Sequence, residues 1–259
     1  MYLCTRKAEC LLVDNKKFNF KRLIMYQTNE LTESQKALSA KYSAVFKKVY
    51  LWMSFALVIS GLTAMCVAKQ PELVVTIFSN NLYFILMMLA QLGLVWFISA
   101  RIMHITAFTA TVLFNIYAIL TGFTLSVIFL AFTAESIETV FYITAGTFAG
   151  VSLYGYITKS DLSSIGSYLT MGLIGLIIAS LVNMFLHSET LYWIVSYAGV
   201  AIFVGLTAYD TQKIKRMVQA YGCNDMEMTN KVALIGALEL YLDFINLFLY
   251  LLRIFGKRK

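Results

Sequence analysis

Residues 232–252 read VALIGALELYLDFINLFLYLL, and within them only Glu239 and Asp243 carry charge. A run of about 20 apolar residues is what a helix needs to cross a ~30 Å hydrocarbon layer. An aspartate near the middle of such a span costs roughly 2.5–3.5 kcal/mol on insertion scales, so it is rarely retained without a use. Glu239, Asp243, Asn246, Tyr250 and Arg253 follow one another at spacings of 4, 3, 4 and 3. At about 100° per residue these steps hold all five on one narrow helical stripe. The preceding apolar run ends in Ala208-Tyr209-Asp210-Thr211-Gln212, which puts a second carboxylate at membrane depth. Two acids on consecutive spans point to a buried proton or cation site.

The rest of the composition fits that reading. The chain has 259 residues, 59% of them hydrophobic and only 14% charged, and its mean hydropathy is +0.73. A soluble domain averages about 45–50% apolar and about 25% charged, so the expected class is an all-α polytopic membrane protein. A single proline, Pro71, predicts mostly straight helices. The net charge of +7 does not indicate nucleic acid. Its cations flank apolar runs, where they act as topology signals and headgroup contacts.

Apolar runs fall at about 49–68, 82–100, 105–132, 139–157, 166–186, 191–212 and 232–252. They predict seven transmembrane helices over 49–252, preceded by a tail at 1–48 and followed by a short basic tail at 253–259. Residues 1–24 read as an overextended start before Met25-Tyr26-Gln27, and no cleavable signal peptide is visible. With the N-terminus cytoplasmic, the inner segments collect 16 Lys and Arg and the outer segments 5. The basic C-terminal tail is discordant with seven spans. Six spans and a re-entrant last segment would return it to the cytoplasm. Gly122, Gly150 and Gly175 suit close helix packing, and Gln91, Asn115 and Asn183 suit hydrogen bonds between helices.

Other chemistries are poorly supported. Cys4, Cys10, Cys66 and Cys223 form no C-x-x-C pair and read as free thiols. His104 and His187 sit near span ends, where structural roles are common. A retinal protein needs a lysine in the last span, and none is present. An intramembrane aspartyl protease would match Tyr209-Asp210. Its Gly-x-Gly-Asp motif is absent, since Asp243 follows Tyr241-Leu242, and Pro71 precedes Glu72, so a Pro-Ala-Leu motif is also excluded.

Gly205-Leu206-Thr207-Ala208-Tyr209-Asp210-Thr211-Gln212-Lys213-Ile214 and Ala237-Leu238-Glu239-Leu240-Tyr241-Leu242-Asp243-Phe244-Ile245-Asn246-Leu247-Phe248 resemble the Bax-inhibitor family, also called the transmembrane Bax inhibitor motif family. Ser99-Ala100-Arg101-Ile102 and Leu120-Thr121-Gly122-Phe123-Thr124-Leu125-Ser126 resemble its second-to-third span region. A family-typical proline is replaced by Val127. The resemblance covers about residues 40–256 and indicates a bacterial member, in the inner (plasma) membrane. It implies seven helices with the last one central, and a proton-sensitive calcium leak without an enzymatic cofactor. It also implies an aspartate pair mapping onto Asp210 and Asp243, with Arg101 as candidate latch. The same resemblance permits a non-conducting regulator of a membrane protease or of cell-death and stress machinery.

Counting from the polar boundaries leaves the partner of Asp210 open. Asp210 lies about 5 Å of helical rise from Lys213, whereas Asp243 lies about 16 Å from Val232. Glu239 is one turn shallower and is the nearer partner, unless the last helix starts above the membrane surface and brings Asp243 level with Asp210. In either case two carboxylates close together in a dry site cannot both ionise, and they share a proton. Calcium takes 6–8 oxygens, more than Asp210 and Asp243 provide, so the expectation is transient passage rather than storage.

Overall fold

The computed structural model describes residues 2–70, 72, 74, 81–221 and 225–259. Pro71 and Cys223 lie outside them. The chain divides into two units, Met1–Ala44 and Val45–Lys259. Among the described residues the helices are α1 (Tyr2–Ala68), α2 (Asn81–Arg101), α3 (Ala107–Ala131), α4 (Ala134–Ile157), α5 (Ser163–Leu186), α6 (Glu189–Tyr221) and α7 (Met226–Phe255). The first unit is helical throughout its described residues.

Among the described residues six helices are long and apolar enough to cross a membrane, and α2 adds the apolar segment Ile85–Arg101. Their outer faces expose large apolar side chains such as Phe55, Leu92, Trp96, Tyr168, Ile178 and Phe185. A water-soluble protein does not expose such continuous apolar surface; a lipid-facing one does. The chain is a multi-pass integral membrane protein.

Burial differs sharply between helices. Of the most apolar stretch of α7, 72% is buried, against 6% for α5. The last helix packs on α6, α4 and α3. From α1, Ser60 also reaches it, its hydroxyl 2.7 Å from that of Tyr241. The Tyr241 ring sits edge-on to Phe114 and Tyr117 of α3. On the α4 side, Phe244 meets Phe141 and Phe148.

Small residues set the closest approaches. A Cβ on Gly155 of α4 would collide with the backbone of Ala208 on α6, and one on Gly122 of α3 would lie 2.7 Å from the carbonyl oxygen of Ser60. A Cβ on Gly150 or Gly175 would meet nothing within 4 Å, so the packing role expected of them is not realised. Gln91 does bridge helices, donating to the Leu120 carbonyl at 2.9 Å and lying 2.6 Å from the Thr124 hydroxyl. Asn115 instead bonds its own helix, and Asn183 accepts from the Ser188 N–H in the α5–α6 turn. Cys66 is a free, exposed thiol.

The last helix is continuous over 30 residues, about 45 Å, with no re-entrant turn. Its first turns lie near Lys48, which donates to Asn230 at 2.7 Å. Its far end meets the α3–α4 link. There Thr133 N–H donates to Lys257 O at 3.1 Å and Lys259 N–H to Ala131 O at 3.0 Å, an isolated antiparallel bridge. The C-terminal tail is thus anchored at the opposite end of α7 from the α6–α7 connection.

Candidate functional site

The helices α6 and α7 run antiparallel, and the polar stripe of α7 faces α6 at several levels. Lys213 meets Glu239, Asp210 meets Asp243, Gly199 and Phe203 meet Tyr250, and Tyr192 meets Arg253. Asn246 departs from the pattern and donates to the Leu242 carbonyl of its own helix at 2.8 Å.

The carboxyl groups of Asp210 and Asp243 lie within hydrogen-bond reach of each other. Asp243 is only 4% exposed, whereas Asp210 is half-buried. Among the described residues Oδ2 of Asp243 has no hydrogen-bond partner, and neither does Oε2 of Glu239. A buried polar atom left in that state costs about 1–3 kcal/mol. The site therefore has acceptor capacity that the protein itself does not fill.

The apolar edges do not set the register of α6 against α7. The apolar run ends near Gln212, but α6 continues to Tyr221; α7 begins at Met226, before the apolar run opens at Val232. Both helices continue past the apolar boundary, and their contacts bring Asp243, not Glu239, to Asp210. Glu239, one turn along, bonds Lys213 at 2.6 Å instead. It still lies close enough to act electrostatically on both aspartates.

Arg101 is placed differently from its expected role as latch. It ends α2 with its side chain exposed, and it is not among the groups acting on Asp210, Glu239 or Asp243. The cations that act on Asp210 are Lys213 and Arg216 of α6. Arg216 also pairs with Asp161 at 3.3 Å and bonds Ser163, tying α6 to the α4–α5 link. Arg253, the far member of the stripe, lies over the rings of Tyr250 and Tyr192 at 5.1 and 5.9 Å, away from the carboxyls.

A chain of hydroxyl contacts that the sequence reading did not single out starts at the residue next to Asp210. Thr211, adjacent to Asp210, lies 3.0 Å from Ser152 of α4, which lies 2.6 Å from the Tyr50 hydroxyl of α1. Their signal was faint: small polar residues inside apolar runs, which more often bond their own helix, as Thr207 and Thr144 do here. Among the described residues no group of three or more His, Cys, Asp or Glu is arranged to hold a metal ion. Asp210 and Asp243 alone fall short of the 6–8 oxygens calcium takes.

Fold and site together define a multi-pass α-helical membrane protein with a carboxyl pair enclosed between its last two helices. The chain belongs to the family described as Inhibitor of apoptosis-promoting Bax1, which matches residues 42–259. It is similar to the inner membrane protein YbhL of Escherichia coli K12, at 50% identity over 212 residues, covering 82% of this chain and 91% of the relative. It is also similar to an uncharacterized protein of Borreliella burgdorferi, at 48% identity over 230 residues, covering 89% of this chain and 98% of the relative. A Rickettsia prowazekii protein is 41% identical over 233 residues, covering 90% of this chain and 98% of the relative.

Proposed function

We propose that this protein is a pH-sensitive leak for calcium and other cations, without enzymatic activity, gated by Asp210 and Asp243. The observation that carries the reading is the contact between these two carboxyls at the buried α6–α7 seam, with Oδ2 of Asp243 unpartnered. While the pair shares one proton, a hydrogen bond holds the two helices together and closes the path. Loss of that proton sets two like charges against each other in a medium of low dielectric, where repulsion is many times stronger than in water. The helices then part, or a cation enters and neutralises the pair with water completing its shell. Glu239 adds a third negative group one turn away, held by Lys213.

The accompanying membrane arrangement is seven spans with α7 at the centre. The N-terminus and the 213–231 connection are cytoplasmic, on the strength of the Lys and Arg distribution. The bacterial inner membrane is the proposed location, as the name of YbhL says of that relative.

Calcium and potassium flux in liposomes containing the purified protein, measured across pH, tests this reading. Flux is expected to rise as pH is raised through the release of the shared proton. Asp210→Asn or Asp243→Asn should each remove the pH dependence while leaving the fold intact, because an amide keeps the shape and cannot titrate. A wild-type pH profile in both variants disproves the shared-proton gate. Loss of the response in Glu239→Gln alone moves the gate to Glu239. Absence of flux at every pH leaves the non-conducting regulator as the reading.

A further inference from the structure

At the far end of the bundle from the Lys213–Glu239 pair, a cavity of about 640 Å³ opens between the α5–α6 turn and the C-terminal end of α7. Arg253, Arg258, Tyr192, Trp193, Glu189 and His187 are among the residues lining it. We propose that this cavity binds the phosphodiester headgroup of an anionic phospholipid, held by Arg253, Arg258 and the Tyr192 hydroxyl.

Three observations converge on that ligand. The first is an uncommitted cation. Arg253 donates no hydrogen bond and forms no ion pair among the described residues, although its guanidinium lies over the rings of Tyr250 and Tyr192. A guanidinium carries five N–H donors in a planar fork, suited to bidentate contact with phosphate oxygens. These ring contacts hold the guanidinium near the cavity and leave its donors for a ligand.

The second is the way Arg258 is held. Its neighbours Lys257 and Lys259 are tied by backbone hydrogen bonds to Thr133 and Ala131, and Lys257 N–H donates to the Ser136 hydroxyl at 2.9 Å. Gly256 allows this approach, since a Cβ there would lie 2.6 Å from the Phe132 ring. The Arg258 guanidinium reaches the Tyr192 hydroxyl at 3.4 Å. Two arginines from a four-residue tail and helix end are thereby set beside one phenol.

The third distinguishes a lipid from a free anion. The helix ends around the cavity carry exposed apolar residues: Phe185 at 79%, Leu186 at 64% and Ile194 at 58%. Trp193 stacks on Tyr197 at 6.0 Å, the aromatic placement found at headgroup level. A phosphate arriving here finds acyl-chain surface beside it. Glu189 lines the same cavity and supplies an acceptor for a headgroup hydroxyl, which phosphatidylglycerol has and phosphatidic acid lacks. A volume of this size lies inside the range of about 300–1,000 Å³ usual for small-molecule sites.

Native mass spectrometry of the detergent-purified full chain, exposed to phosphatidylglycerol or phosphatidylcholine, tests the site. Wild type should retain phosphatidylglycerol in preference. R253Q and R258Q should each lower that retention about tenfold, and R253K should fall between, because an ammonium cannot make the bidentate contact. K159Q, at a distant connection, should match wild type. Where an arginine variant fails to fold by its melting curve, Y192F replaces it and should still lower retention measurably. Equal retention of the two lipids by wild type overturns the proposal, as does unchanged retention in R253Q/R258Q. Full displacement of the lipid by millimolar inorganic phosphate overturns the lipid assignment in favour of a free-anion site. None of these readouts depends on ion flux.

Discussion

Nζ of Lys213 lies 2.6 Å from Oε1 of Glu239, one helical turn from the place where Asp210 meets Asp243. The ammonium is shared in its influence, acting on Glu239 directly and on both aspartates through space. It gives the seam three carboxyls and one firmly placed cation. The pair also clasps α6 to α7 on the side of the shared connection.

Removing one member of that pair should cost more than removing both. Lys213→Met leaves Glu239, whose side chain is 17% exposed, with an unopposed charge, and a loss of about 1–3 kcal/mol is expected, the lower part of the range reflecting the partial exposure of both groups. Lys213→Met combined with Glu239→Leu should recover most of that loss. Unfolding in mixed detergent micelles compares the three proteins. A double variant no more stable than the single one would show that the ion pair is incidental.

The glycines separate into two behaviours. Gly155→Ala drives a methyl group into the Ala208 backbone, and Gly199→Ala sets one 2.7 Å from the Tyr250 ring. Each should cost about 1–3 kcal/mol through overpacking, Gly155 the more because backbone yields less than a ring. Gly150→Ala and Gly175→Ala meet open space and should gain up to about 1 kcal/mol from helix propensity. Melting temperatures of the four variants settle the contrast, and a stabilised Gly155→Ala would contradict the packing described.

Arg101 stands apart from the carboxyls, so Arg101→Ala should leave the pH midpoint of cation flux where wild type has it. Lys213→Gln, by contrast, should move that midpoint, since Lys213 acts on all three carboxyls. Flux titrations of the two variants at equal incorporation into liposomes measure this. A displaced midpoint in Arg101→Ala alone would restore the arginine as latch.

Asp161 provides an internal control for pH. Hydrogen bonds from the Ser163 hydroxyl and N–H, aided by Arg216, hold its carboxyl below the ordinary carboxylate range. A carboxyl lowered on folding contributes stability that is complete above its unfolded value and is lost only as pH falls through the lowered one. Any response near neutral pH must therefore originate elsewhere. Asp161→Asn should leave the neutral-range flux profile unchanged, lower stability by a constant amount at neutral pH, and flatten the strongly acidic limb of a stability–pH curve.

Much of this architecture was legible in the sequence because lipid imposes a simple rule. Each apolar run corresponds to a helix, since an unsatisfied backbone cannot face hydrocarbon. The stripe from Glu239 to Arg253 was likewise readable from spacing, and most of its members do face α6. Helix ends were not, because apolar periodicity stops at the membrane edge and the helix does not. That is why counting from the apolar edges leaves the partner of Asp210 open, since α6 runs on to Tyr221 and α7 starts at Met226. Composition likewise does not say which face a glycine occupies, so Gly122 and Gly150 looked alike although only Gly122 touches another helix. Arg101 is a latch candidate through the family resemblance, and a resemblance does not reveal which neighbours its side chain will reach.

The deep enclosure of α7 has a consequence for biogenesis. This helix, 72% buried over its most apolar stretch, follows the other six in the chain, so the earlier spans enter the bilayer without the element against which α3, α4 and α6 finally pack. Assembly can be completed only after translation of this segment ends, and the carboxyl pair cannot exist before then. A chain truncated ahead of Met226 retains Asp210 but has no partner for it. The residues after Phe255, bonded to Ala131 and Thr133, then fasten the end of α7 to the α3–α4 link once that helix is in place.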